Sequence, residues 1–255
     1  MLETTADART RKLQCLLDLT LAMMTPGNTS ATVKSAAAAR KPAAARKPSA
    51  ARKPVNTYHH GDLREALVHA AFQEAEFGGP EAVNISALAK KLGVSQPAPY
   101  RHFADRDALL AAITAEALRQ FSAALRESMG KPSKRSRLSR LAHAALQFGL
   151  RRNGIYRLMF ASRSMANAPE GSELRIAATE TFDLVLEALG PPAKGCLRER
   201  HALSIWTAVH GAVMLAEQGL LTGRAAHVGV EDLVEDLVKQ TELALSLAIK
   251  AADGA

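Results

Sequence analysis

From about Tyr58 onward the apolar positions recur at the spacing of helices, not of strands. Leu63, Leu67, Ala70, Ala71 and Ala75 share one face of a 3.6-residue period and predict a first helix. Asp62 is its expected N-cap and Gly78-Gly79-Pro80 its stop. Ile85, Leu88, Ala89 and Leu92 predict a second helix behind Asn84 as N-cap, ended by Gly93. Ser95 is placed to cap a third, very short helix. In it Pro97 falls in the first turn, where its missing N–H would be unpaired anyway, whereas Pro99 forgoes one backbone bond. Phe103 closes this small core. Asp105 is then expected to cap a long fourth helix running through Leu109, Leu110, Ile113, Leu118 and Leu125. After a break at Gly130-Lys131-Pro132, helical patterns follow around Leu138–Leu150, Tyr156–Ser162, Leu174–Leu189, Arg200–Leu221 and Val230–Lys250. Pro191-Pro192 and Gly229 punctuate them. No strand pattern emerges, so the expected fold is all-α.

The first 57 residues obey a different rule. Residues 1–24 have room for one short helix, and whether they are translated at all stays open at this point. Leu13 to Met24 behind Arg9, Arg11 and Lys12 resembles a weak signal segment, but Asp18 interrupts it and no small-residue cleavage site follows. Residues 25–57 contain Pro, Ala, Lys, Arg and Ser with almost nothing to bury, which predicts disorder. Three near-identical hexads end in Arg40-Lys41-Pro42, Arg46-Lys47-Pro48 and Arg52-Lys53-Pro54. In an extended polyproline form the Arg-Lys pairs would lie on one side, ~19 Å apart.

Charge sharpens this division. The net charge is +8, yet residues 31–57 hold seven bases and no acid, and residues 1–30 balance three against three. The rest of the chain therefore sums to about +1. Basicity belongs to the tail, an arm suited to a polyanion on a nearly neutral body. A solvated linker fits the same composition.

The remaining totals mostly exclude. An apolar fraction of 47% suffices for a core, and aromatics are scarce at 4%. The two cysteines, Cys15 and Cys196, lie far apart, which argues against a disulfide scaffold or a metal cage and for a reducing compartment. No apolar run is expected to approach the ~20 residues that span a bilayer. No nucleophile elbow, phosphate loop, metal-spaced His/Cys cluster or dinucleotide fingerprint is present, so no enzyme, cofactor or metal is expected.

The chemistry lies in Asn84-Ile85-Ser86-Ala87-Leu88-Ala89-Lys90-Lys91-Leu92-Gly93-Val94-Ser95-Gln96-Pro97-Ala98-Pro99-Tyr100-Arg101-His102-Phe103. Helix, tight glycine turn and second helix form a helix-turn-helix pattern. With the opening Tyr58-His59-His60-Gly61-Asp62-Leu63-Arg64 and with Asp105-Arg106-Asp107-Ala108-Leu109, residues 58–113 resemble the DNA-binding domain of the TetR family of bacterial repressors. Downstream, Trp206-Thr207-Ala208-Val209-His210-Gly211 resembles the Trp-x-x-x-His-Gly motif of one branch's C-terminal domain. The resemblance covers residues 58 to about 250 and leaves the tail outside.

The resemblance implies roles. Gln96, Pro97, Ala98 and Arg101 would face the major groove, with Gln96 suited to adenine, Arg101 to guanine, and Pro97 and Ala98 to a thymine methyl. Tyr100, His102 and Arg106 would bind phosphates, and Ser95 would both cap its helix and reach a phosphate. Other readings stay open: Tyr100 as a core aromatic, His102 as a solvated helix end, Arg101 as a phosphate contact. Residues 114–250 would form an effector-binding and dimerisation domain. Trp206 and His210, four apart, would offer a cavity an aromatic wall and a polar contact, with Phe148, Tyr156, Met159, Phe160, Phe182 and Met214 as further candidates. Ordinary core packing or a dimer contact fits the same spacing. The last two helices would pair with a second copy through Leu233, Val234, Leu237, Val238 and Leu245. The expected protein is a cytoplasmic, homodimeric, sequence-specific DNA-binding regulator, a repressor released from a double-stranded operator by a small-molecule effector. In it, Arg40, Lys41, Arg46, Lys47, Arg52 and Lys53 add non-specific DNA affinity. The alternative is a nucleoid-type architectural protein acting mainly through that tail.

Overall fold

The computed structural model describes residues 60–161, 164–165, 167–191, 198–222 and 226–253. The leader, the three hexads and Tyr58-His59 lie outside these residues. Among the described residues, those from Arg64 onward form one compact unit.

The order of elements is α1 (His60–Gly78), a 3-10 turn at Pro80–Ala82, α2 (Ile85–Lys91), a 3-10 turn at Pro99–Arg101, then α3 (Arg106–Gly130) and α4 (Arg137–Arg151). It continues with α5 (Asn153–Ala161), α6 (Glu173–Ala188), α7 (Arg198–Glu217) and α8 (Val230–Asp253). The described residues hold no strand. The all-α expectation stands, with element ends shifted by one to four residues. One shift matters to a named residue: α1 begins at His60, so Asp62 lies inside its first turn and is not the N-cap.

Short polar side chains start the helices by accepting from otherwise unpaired N–H groups. Asn84 Oδ1 accepts from Ala87 N at 3.0 Å and Asp105 Oδ1 from Ala108 N at 2.8 Å. Ser136 and Ser172 do the same for α4 and α6. The end of α2 is a Schellman turn. Val94 N donates to Ala89 O at 3.0 Å, Gly93 N to Lys90 O at 3.2 Å, and Gly93 takes the left-handed φ of 69° that this turn requires.

The fully buried side chains of α3 (Leu109, Ile113, Leu118, Phe121 and Leu125) form the spine of the molecule. α3 packs along α4 and α6, α4 packs on α7 and α8, and α7 pairs with α8. α3 is long and apolar enough by composition to cross a membrane, which corrects the expectation that no run approaches that length. Ten of its residues are buried among the surrounding helices, as suits a central core helix.

One close approach ties α5 to α1. A Cβ on Gly154 would collide with the carbonyl oxygens of Ala75 and Glu76. Those atoms are backbone and cannot swing aside, so only glycine lets the start of α5 lie on the end of α1.

Candidate nucleic-acid interface and ligand cavity

The segment after the Schellman turn is not the α-helix that Ser95 was expected to cap. An α-helix opening at Ser95 would need Pro99 to donate to Ser95 O, and Pro99 has no N–H. Ser95 O instead accepts from Ala98 N at 3.0 Å, a turn, and Pro99–Arg101 continues as 3-10 helix. No side chain caps this 3-10 helix. The reading element is thus a turn plus one tight helical turn.

Its orientation follows from what it buries. Pro99 and Phe103 are buried and root the segment. Ser95, Gln96, Pro97, Tyr100 and Arg101 are exposed, while Ala98 and His102 are half-buried. Tyr100 is 51% exposed, which removes the core-aromatic reading. Gln96 is not wholly free. Its Nε2 donates to Ser86 O at 3.2 Å, bracing the segment against α2. Lys91 pairs with Glu74 of α1 at 2.7 Å, so its charge is already matched within the protein.

Arg106 is engaged elsewhere. Its Nε donates to Val83 O at 2.9 Å and its Nη2 donates to Pro80 O, clamping the Pro80–Ala82 turn to the start of α3. The assignment of Arg106 to phosphate binding has to share the guanidinium with this role. A signal was available in the sequence. A cation at the first position of a helix opposes the macrodipole, and two carbonyl acceptors offset that.

In the helical body, a cavity of about 20 Å³ is bordered by Phe121, Leu125, Leu141, Ala142, Ala145, Tyr156, Val185, Ile205, Trp206, Val209 and His210. Of the expected residues, Tyr156, Trp206 and His210 border it. Phe160 stands behind them, with ring centroids 4.8 Å from Tyr156 and 4.6 Å from His210, and Phe182 lies edge-on to Trp206 at 6.5 Å. Phe148 is set back against Phe121 at 5.0 Å. Met159 is fully buried and Met214 half-buried, and neither borders this cavity. Sequence reasoning missed Phe121 and the aliphatic wall from α3, α4 and α6, because nothing local reveals which core faces meet around a void.

The cavity has one polar corner. Tyr156 Oη lies 3.1 Å from His210 Nδ1, with the rings stacked at 25°. Burial pushes the Tyr156 hydroxyl above its usual value and the His210 imidazole below its own. Both are therefore neutral near pH 7. Among the described residues no cluster of His, Cys, Asp and Glu could hold a metal.

The expected dimer seam on α8 is in part turned inward. Val234 and Val238 are buried within the chain, and Leu233 and Leu245 are half-buried. Leu243 lies nine positions beyond Val234, which at about 100° per residue leaves it half a rotation away on the opposite side of the helix. Leu243 and Leu247 accordingly face outward, 62% and 58% exposed, as does Leu215 of α7. Leu237 borders an open groove between α7 and α8 together with Ser204, Ala208 and Ala244.

A braced, outward-facing reading segment and an apolar cavity in one helical body define a helix-turn-helix regulator. Residues 67–113 match the family model described as bacterial regulatory proteins, tetR family, and residues 138–241 the model described as tetracyclin repressor-like, C-terminal domain. Together these span more than half of the chain, which belongs to the TetR family and is a DNA-binding transcriptional regulator, not an enzyme. Among solved structures, a protein of unknown function from Rhodococcus sp. RHA1 is 28% identical, with a TM-score of 0.60, over 75% of this chain and 99% of that one. A tetR-family transcriptional regulator from Streptomyces coelicolor, 16% identical, has a TM-score of 0.54 over 76% of this chain and 89% of its own. The fatty acid degradation regulator of Bacillus halodurans, 14% identical, reaches 0.51 over 74% and 96%. These two likenesses speak for the fold alone. None of the curated proteins matches in sequence.

Proposed function

We propose that the chain acts as a cytoplasmic homodimer that binds a near-palindromic operator as a repressor and is released by a small molecule held in the helical body. The observation that carries this reading is the reading segment. Pro99 and Phe103 anchor it in the core while Gln96, Pro97, Tyr100 and Arg101 stand in solvent. Arg101 and Gln96 are suited to base edges, Pro97 and Ala98 to a thymine methyl, and Ser95, Tyr100 and His102 to phosphates. Arg106, which the resemblance also assigns to phosphate, would share that role with clamping the Pro80–Ala82 turn to the start of α3.

A dimer is supported by the outward Leu215, Leu243 and Leu247, apolar side chains that a second copy would cover. Two short reading elements then address two half-sites. The Trp206 and His210 corner supports membership of the branch with a Trp-x-x-x-His-Gly motif. Ligand release requires different affinities of two states for DNA. The arm of Arg40, Lys41, Arg46, Lys47, Arg52 and Lys53 would add affinity without sequence.

The test is selection of duplexes from a random pool at about 150 mM salt, where screening weakens the arm's contribution. Full-length protein is compared with a chain shortened to begin at Tyr58. A shared palindromic motif from both supports the repressor-type reading. Unrelated sequences from the full-length protein and nothing from the shortened one would refute it and favour a coating role for the tail.

A further inference from the structure

The cavity's lining says what kind of molecule it would take; this rests on the reading of the chain as a ligand-released regulator. Its walls are aliphatic and aromatic, among them Phe121, Val185, Ile205 and Trp206, with Tyr156 and His210 as the polar corner. An ionised carboxylate or ammonium moved into such surroundings would lose its hydration and meet no opposite charge. Aromatic walls favour a flat partner that packs face or edge against them.

The polar corner offers both a donor and an acceptor. If Tyr156 donates to His210 Nδ1, the phenol oxygen can still accept and the Nε2 proton can be given. If Nδ1 carries the proton, the phenol donates outward and Nε2 accepts. Either tautomer suits a hydroxyl or a carbonyl. Extra polar groups on the ligand would find no partner.

The volume adds a requirement. About 20 Å³ holds one water, not an organic molecule. A wall must move, and Trp206 is the candidate. It is half-buried, and its neighbours Phe160 and Phe182 are half-buried too, whereas Phe121 and Tyr156 are buried.

We propose that this cavity takes an uncharged, ring-containing small molecule bearing a single hydroxyl or carbonyl group. The molecule displaces the Trp206 wall and hydrogen-bonds to the Tyr156–His210 pair.

Trp206 is the chain's one tryptophan, so in ¹⁵N-labelled full-length protein its indole N–H is a single assignable reporter. Three probes share a ring system and differ in charge: 2-naphthol, naphthalene-2-carboxylate and naphthalen-2-ylmethylammonium. 2-Naphthol should shift the Trp206 resonance saturably and bind at least about tenfold more tightly than either ion. It should also give intermolecular NOEs to the rings of Tyr156 and Trp206. Tyr156→Phe should shrink the preference for 2-naphthol over 2-methylnaphthalene about fivefold. An ion binding as tightly as 2-naphthol, no saturable shift up to its solubility limit, absence of the NOEs, or an unchanged preference in Tyr156→Phe would each overturn the proposal. The NOEs locate the probe even where the variant does not fold. The duplex selection uses no probe, so its failure refutes the regulator reading and leaves the cavity result standing. A probe that fills the cavity without changing operator affinity refutes ligand release alone.

Discussion

Arg152 Nε lies 2.6 Å from Glu76 Oε1, joining the turn between α4 and α5 to the last turn of α1. The same guanidinium donates from Nη1 to Gln120 of α3 at 2.8 Å. Its Cζ stands over the Phe72 ring, 5.4 Å from the centroid, and over the Phe148 ring at 5.3 Å. One side chain therefore touches the helix that opens the reading head, the central helix, and an aromatic next to Phe121 of the cavity wall. Arg152→Ala should lower unfolding stability by about 2 kcal/mol, since a charge-assisted pair and two cation–ring contacts are lost together and Glu76 loses its hydrogen-bond donor. Arg152→Lys should recover less than half of this, because an ammonium cannot serve three helices at once. Urea unfolding followed by circular dichroism measures both, and equal stabilities for Lys and Arg at this position would contradict the fork geometry.

Arg101 and Arg106 should separate cleanly in DNA binding. Arg101 is exposed on the reading segment. Arg101→Ala should relax specificity at one base pair per half-site, costing ~1–3 kcal/mol there. Arg106→Ala should instead weaken all sequences alike and reduce stability by ~2 kcal/mol, because the Pro80 and Val83 carbonyls lose their donor. Competition titrations over a set of single-base operator variants distinguish the two patterns. A uniform loss for Arg101→Ala would make it a phosphate contact.

His210 makes stability depend on pH. Burial lowers its pKa in the folded protein below the ordinary 6.5. The unfolded chain therefore binds the proton more readily, and folding stability rises with pH through this window. The contribution is complete above the unfolded value and is lost as pH falls through the folded one. Denaturation midpoints measured from pH 7.5 down to about 5 should fall, and His210→Gln should remove part of the slope. An unchanged slope in that variant would mean that other groups carry the dependence.

Leu243 and Leu247 should control assembly. Each leaves more than half of its surface in solvent within one chain. Replacing both with Asp should give a monomer by light scattering at micromolar concentration while helical content stays intact. A persistent dimer would place the interface on another face.

Salt tests the tail. Seven bases and no acid between residues 31 and 57 could add up to ~6 units per chain to the slope of log K against log salt. Deleting residues 1–57 should flatten the slope accordingly. If it does not, the arm never touches phosphate.

The sequence by itself determined most of what depends on near neighbours, although Asp62 falls inside the first turn of α1 and does not cap it. Period, caps and breakers located α1 to α8, because Asn84 and Asp105 act within one helical turn and Gly93 within one loop. The helix-turn-helix was legible for the same reason. One failure was a local conflict, in which Ser95 lost its helix to Pro99; the bonds of Arg106 to the carbonyls of Pro80 and Val83 arise only once the chain folds back on itself. The rest was decided by tertiary structure. Periodicity says that Val234 and Leu243 lie on opposite faces of α8, but not which face meets α4 and α7. It marks Tyr156 and His210 as apolar-face residues, but their contact across 54 positions exists only once α5 and α7 pack. Phe121 joins the cavity from a third helix, α3. Spacing along a chain encodes the faces of single helices, whereas a void, a clamp such as Arg152 with Glu76, and an uncovered surface are properties of faces brought together.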